Sequence, residues 1–200
     1  MNTNTPADSI TRPINKQPLP SHAKCVFEGK IFDIYQWEQE MFDGSKAIFE
    51  KAKRKVDSVN ILPVTSEGKI ILNKQEQPGE MPFIGALGGR MDEGESPLET
   101  GKRELLEEGG ITAKDWQLLH AIHPDIKVDW VCYTFIAKDL DRSESKQLDA
   151  GEKNELIEVT LDEFMDIIIQ DNYRDSEIAF FFLKALRDPQ KWQELKQLLQ

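Results

Sequence analysis

The sequence predicts one domain of the α+β or mixed α/β class. Its 200 residues fall within the length of a single domain. Many short strand-like runs alternate with only a few helical ones, and no internal repeat or domain linker interrupts them. The apolar share is 39%, with ten Phe, enough to build a core and to exclude wholesale disorder. Charge excludes other classes: 25 Lys+Arg against 36 Asp+Glu leaves a net −11, without the basic footprint of a nucleic-acid or anionic-membrane binder. Cys25 and Cys132 cannot make a disulfide framework. No apolar run reaches the ~18 residues of a membrane span, and the N-terminus carries no signal-type hydrophobic segment. A cytoplasmic protein is expected.

Residues 1–23 hold Pro6, Pro13, Pro18 and Pro20 among polar residues and read as an extended, flexible arm. The single domain is expected over 24–200, with 24–55 as N-terminal strands and 56–200 as the core. A turn at Glu28-Gly29 and a hairpin at Asp43-Gly44 divide the first of these segments. Strands are expected at 58–65 and 69–73 around the turn Ser66-Glu67-Gly68. Residues 75–95 read as a Gly/Pro-rich loop with a short strand at 85–88. Further strands are expected at 116–122, 130–137 and 156–160, with 138–155 as a polar loop. Helices near 161–170, 176–187 and 189–199 complete the chain, the last an amphipathic cap.

One helix is fixed by its ends. Ser96-Pro97-Leu98-Glu99 supplies an N-cap, Pro at the first position and the Glu of a capping box, and Gly109-Gly110 supplies the stop. A helix from about 97 to 108 follows. On it, Glu104, Glu107 and Glu108 stand at i, i+3 and i+4 and share one face. Like charges at this spacing repel, and at a C-terminus they also oppose the helix dipole. Two readings account for them. In one, the face is solvated and relieved by Lys102 and Arg103; in the other, a divalent cation sits against it. Mg²⁺ suits the second, because hard cations prefer carboxylate and phosphate oxygens.

The residues around this helix resemble the Nudix box, G-x5-E-x7-R-E-U-x-E-E-x-G-U with U aliphatic. Gly89, Glu95, Arg103, Glu104, Leu105, Glu107, Glu108, Gly110 and Ile111 fill every fixed position. The resemblance implies an α/β/α sandwich with a mixed sheet, here preceded by an N-terminal antiparallel strand pair. It also implies a Mg²⁺-dependent hydrolase, with Mn²⁺ as a substitute, acting on a nucleoside diphosphate linked to another group. Glu104 and Glu108 would be the principal metal ligands, with Glu107 as a further or water-mediated one. The Gly88 carbonyl would be another ligand. Arg103 would orient the glutamates, and Glu95 would brace the loop or join the outer metal shell. A pyrophosphate repels nucleophiles, so such a reaction needs cations that neutralise its oxygens and acidify a water.

The surrounding chain, over approximately 25–187, is similar to the ADP-ribose pyrophosphatase and nucleotide-sugar branch. Pro124 lies 13 residues beyond Ile111, near the branch's downstream proline. Glu152 and Glu155, before the strand at 156, resemble its acidic loop, which presents a catalytic glutamate. Glu155 is the first candidate for the general base and Glu152 the second. Two positions depart from the branch: Gln75-Glu76-Gln77 stands where Gln-x-Arg is common, and Gly85 where a Glu often precedes the box. Arg54 and Arg90 are candidates for phosphate contacts or plain surface charges. The branch pairs through its N-terminal strands, so a homodimer built partly by 25–55, with Phe27, Phe32, Trp37, Phe42 and Phe49, is expected. A nucleotide-sensing module and a nucleoside triphosphate pyrophosphatase are the alternatives, and neither a nucleic acid nor a membrane partner is expected. His120 and His123 point to opposite strand faces and make no zinc set. Cys132 reads as a small buried hydrophobe.

Overall fold

The computed structural model describes residues 10–142 and 153–200. In chain order the elements are β1 (Lys24–Glu28), β2 (Phe32–Glu40), β3 (Lys46–Arg54), β4 (Ser58–Pro63), β5 (Ile70–Glu76), β6 (Phe83–Gly85), β7 (Leu87–Arg90), α1 (Pro97–Gly109), β8 (Thr112–Ile122), β9 (Val128–Asp129), β10 (Cys132–Asp141), β11 (Lys153–Val159), α2 (Leu161–Ile167), α3 (Ser176–Leu186) and α4 (Pro189–Leu198). The N-terminal pair is a three-stranded antiparallel meander, β1-β2-β3, extended by the short parallel β9. Asp43-Gly44 closes its second hairpin. Gly44 takes φ 79°, a conformation that costs glycine nothing, and Asp43 Oδ1 accepts from the Ser45 N–H.

A mixed sheet follows in the order β7-β4-β10-β8, with β4 and β10 parallel and the outer pairs antiparallel. An antiparallel sheet β11-β5-β6 lies beside it, joined through a bridge between Val64 and Ile70. Alternation along the strands separates two cores. Val59, Ile61, Tyr133 and Phe135 pack with Leu105 of α1 and with Ile111. Leu62, Val64, Ile70, Leu72 and Ile136 pack with Phe164, Ile178, Phe182 and Leu195 of α2, α3 and α4. The sheets thus lie between α1 and the C-terminal helices, the sandwich expected of the sequence.

Several bounds moved. The expected strand at 85–88 is two strands broken at Ala86, and β10 runs to Asp141 rather than giving way to a loop at 138. The loop expectation followed charge, but β10 pairs with β8 over its full length, as far as Asp141 with Thr112. Residues 10–23 contain no helix or strand, and they are docked rather than free. Arg12 reaches both Asp57 (2.8 and 3.1 Å) and Asp129 (3.0 Å), and Asn15 is buried against His123.

Candidate active site

The sequence determinants of α1 act as expected. Ser96 accepts from the Glu99 N–H while Glu99 accepts from the Ser96 N–H, and Gly110 at φ 62° ends the helix. Leu105 turns into the core, which directs Glu104 and Glu108 toward the β7 edge. Both are largely covered: the Glu104 side chain is 13% exposed and Glu108 is 8% exposed. Gly89 is extended, and its Cα lies so close to the Glu104 carboxylate that any Cβ would collide with it. Glycine at 88 is required twice. Its φ is 142°, and a Cβ there would strike the Val59 carbonyl of the neighbouring strand. The Gly88 N–H then donates to Glu108 Oε2 (2.9 Å), while Gln75 from β5 donates to Glu108 Oε1 (3.0 Å).

Arg103 organises the rest. Its Nη1 donates to Glu104 (2.9 Å) and Glu107 (3.0 Å), its Nε and Nη2 grip Glu95, and Nη2 also donates to the Arg90 carbonyl. One planar cation therefore fixes three carboxylates and the loop in a single geometry. Glu95 is further bonded by the Thr100 hydroxyl and the Asp92 N–H. The Arg103 bonds, foremost, hold its carboxyl down to about 2. Its oxygens are committed to bracing, which leaves little for a metal. Glu104 behaves oppositely: desolvation pushes its carboxyl up although Arg103 pulls it down. A covered carboxylate short of compensating charge is a fitting donor for a hard cation, and Glu108 and the half-exposed Glu107 stand on the same face. Among the described residues no three of these side chains converge on one point, their oxygens being engaged by Arg103, Gln75 and the Gly88 N–H. The donor types fit a Mg²⁺-like ion held by Glu104 and Glu108, with Glu107 beside them.

The cluster forms one wall of a cavity of about 850 Å³. Arg54 and Arg90 line it, with Trp130, and the Arg54 guanidinium lies 4.7 Å from the Trp130 ring centroid. Arg54 Nε is buried, with no hydrogen-bond partner among the described residues. The opposite wall holds Asp175 and Glu177, with Asn60 and Cys132 at the floor. The sequence pointed to no role for Asn60, Asp175 or Glu177, while Cys132 read as a buried hydrophobe and Gln75 stood only in a departure from the branch pattern. Asn60 carried a signal, as a polar residue interrupting the otherwise apolar β4, whereas Gln75 stands in the polar half of β5 beside Lys74 and Glu76. Asp175 and Glu177 carried none, because helix starts hold acids routinely.

Of the two base candidates, only Glu155 falls among the described residues. Glu155 lies within β11, paired with Lys74, while its neighbour Asn154 is paired with Gln75. Asn154 donates to the Glu108 carbonyl and so faces the cluster. Successive strand residues face opposite ways, so Glu155 points away from the glutamates; its side chain is 72% exposed and 3.9 Å from Lys74. Glu152 lies outside the described residues. His120 donates to or accepts from the Thr134 hydroxyl beside Phe181, and burial lowers it to about 4. His123 contacts Asn15 instead, so the two form no pair. Cys132 is buried, as read, but it lines the cavity floor as well.

Residues 54–185 match the NUDIX domain family. The chain is 34% identical over 158 residues to the ADP-ribose pyrophosphatase of Bacillus subtilis (strain 168), covering 78% of this chain and 85% of that protein. It is 30% identical to the methanol dehydrogenase activator of Bacillus methanolicus, over 76% of this chain and 83% of that one. The crystal structure of an ADP compounds hydrolase superposes with a TM-score of 0.69 at 21% identity, covering 91% of this chain and 98% of the other, which shows a shared fold. The family match, the identities and the box geometry agree: the chain belongs to the Nudix family and is a Nudix hydrolase.

Proposed function

We propose that this hydrolase cleaves the pyrophosphate bond of a nucleoside diphosphate linked to a sugar, ADP-ribose being the leading candidate, in a Mg²⁺-dependent reaction. One observation carries the reading: carboxylates ordered by Arg103 line a cavity that Arg54 and Arg90 line as well. The relative named ADP-ribose pyrophosphatase supports the choice of substrate. When bound, the metal supplies charge neutralisation and a water of lowered pKa. The chain's own residues do the rest. Arg103 keeps Glu104 and Glu107 in register, Gln75 and the Gly88 N–H set the plane of Glu108, and Arg54 and Arg90 attract and orient the diphosphate. With Glu155 turned away, the proton acceptor is a glutamate of α1, with Glu107 the most accessible of the three, or Glu152, which lies outside the described residues. An intact carboxylate set favours catalysis over nucleotide sensing. The test is a product screen of ADP-ribose, nucleotide sugars, dinucleoside polyphosphates and nucleoside triphosphates, with Mg²⁺ and with chelator. AMP and ribose 5-phosphate formed from ADP-ribose only with Mg²⁺ is the expected result; preference for a triphosphate would overturn the substrate.

The same reading includes a homodimer, and a cytoplasmic place for it. Trp37 and Phe49 pack against each other within the meander, 5.9 Å apart, which accounts for two of the five aromatics. Phe27, Phe32 and Phe42 remain exposed, with Val26 and Ile48 beside them. Exposed apolar side chains along this meander suit contact with a second copy of the chain. Light scattering should give twice 23.0 kDa; a mass of 23.0 kDa at micromolar concentration would remove the dimer.

A further inference from the structure

The wall facing α1 has a chemistry of its own. Asp175 and Glu177 stand at the start of α3 and line the cavity, yet among the described residues neither is ion-paired. Each is anchored through one oxygen. Glu177 Oε1 accepts from Asn60 Nδ2 (2.8 Å) and from the Cys132 thiol (3.5 Å); Asp175 Oδ2 accepts from the Ala86 N–H (2.7 Å). Among the described residues, none donates a hydrogen bond to the second oxygens, Glu177 Oε2 and Asp175 Oδ1. Their supports are rigid. Asn60 lies in β4 opposite Gly88, and the backbone at 172–174 is pinned to β6, with the Ile84 N–H donating to the Asn172 carbonyl and the Arg174 N–H to that of Ile84. Arg174, the nearest cation in sequence, is engaged elsewhere, over the Phe83 ring (4.5 Å) and toward Glu80 (3.6 Å).

The cavity therefore presents unsatisfied groups of both signs, the buried Arg54 Nε among its cations and two acceptor oxygens on the α3 wall. We infer that Asp175 and Glu177 are specificity residues that select a neutral, hydroxyl-bearing group on the diphosphate and reject a further phosphate. The inference rests on the proposed function and deepens it. A pair of acceptors held by one oxygen each leaves the other to take a hydroxyl proton, and vicinal hydroxyls of a pentose or hexose supply such donors. A terminal phosphate has no proton to give and adds negative charge in a confined space beside two carboxylates, which is an element of rejection as well as a missing attraction. The volume of about 850 Å³ is large enough for a nucleotide carrying a sugar.

The test is a pair of dissociation constants, for ADP-ribose and for ATP, measured by calorimetry with Mg²⁺ omitted so that nothing turns over. The unmodified protein should bind ADP-ribose at least about tenfold more tightly than ATP. Glu177→Gln should weaken ADP-ribose by about tenfold or more, leave ATP unchanged or tighter, and bring the ratio near one. Asp175→Asn, which keeps an acceptor for the Ala86 N–H, should move the ratio the same way and serves if Glu177→Gln fails to fold. Steady-state kinetics separate a binding role from a structural one, since KM for ADP-ribose should rise with kcat changed much less. Equal affinity of the unmodified protein for the two ligands, or an unchanged ratio in folded variants, would overturn the inference. Selective binding of ADP-ribose without Mg²⁺-dependent cleavage would instead overturn the proposed function and leave this inference standing.

Discussion

Two acidic walls face one cavity and are built on opposite electrostatic terms. On α1, Glu95, Glu104 and Glu107 all touch Arg103, and Glu95 is held down to about 2. On α3, Asp175 and Glu177 touch no cation, and burial, aided by Glu177, pushes Asp175 up to about 7. Carboxylates are thus tied to one shared cation on one side, with only Glu104 pushed up by desolvation, and stand without a cation in contact on the other. A wall already carrying a cation and a committed geometry suits a metal and a diphosphate. A wall of acceptors without a cation suits donors brought in by the ligand.

The largest effect that would break this contrast belongs to α1. Glu108→Gln keeps the shape and the Gly88 contact but removes a charge, and its turnover should fall by about 10²–10³-fold while the fold survives. Circular dichroism with Mg²⁺-dependent rates checks both halves. Near-normal turnover with unaltered Mg²⁺ dependence would move the metal away from α1. Arg103→Lys comes next. A lysine offers a point charge where the fork spans three carboxylates and a carbonyl, so it should not rescue: kcat should fall by about a hundredfold. Stability should fall by roughly 2–3 kcal/mol, read from denaturant midpoints.

These predictions stand on the part of the site that was legible in the sequence. The box residues are contiguous, so their juxtaposition follows from one helix, two caps and a loop, all local. The hairpin at Asp43-Gly44 was legible for the same reason. Asn60, Gln75, Asp175 and Glu177 come together only through sheet order, with β4 beside β7 and Ile84 of β6 bridged to Tyr173. No short-range pattern encodes that. The facing of Glu155 was not legible for a subtler reason: its strand begins at Lys153, and a period of two makes the facing of each residue depend on register.

The α3 wall supplies the next test, through pH. Asp175 has its pKa raised from 3.8 to about 7, against Glu177 and despite Arg174 and the Ala86 N–H. The folded state therefore binds the proton more tightly than the unfolded one. That contribution to stability is complete below about pH 4 and is lost as pH rises through about 7. Asp175→Asn mimics the protonated form at every pH. Its stability should match the parent near pH 4 and exceed it by about 2–4 kcal/mol at pH 8. Melting curves from pH 4 to 8 give the comparison directly, and a parallel pair of curves would show that Asp175 stays ionised with compensation from elsewhere.

The smallest expected effect is the sharpest check on which carboxylates belong to the site. Glu155 is in the right segment by sequence and on the wrong face by structure. Asn154 beside it reaches the Glu108 carbonyl, and Gln75 opposite Asn154 reaches the Glu108 carboxylate, so the inward face of this strand pair is already assigned. Glu155 and Lys74 share the outward face at 3.9 Å, both largely exposed, and such pairs contribute at most about 1 kcal/mol. A general base lost would cost about 10²–10⁴-fold in rate. Glu155→Gln should therefore leave kcat within about twofold and shift stability by less than about 0.5 kcal/mol. The two readings differ by at least about fiftyfold in one rate measurement, and no rearrangement short of a one-residue register slip of β11 would carry this side chain inward. A hundredfold loss in Glu155→Gln would show that such a slip accompanies substrate binding.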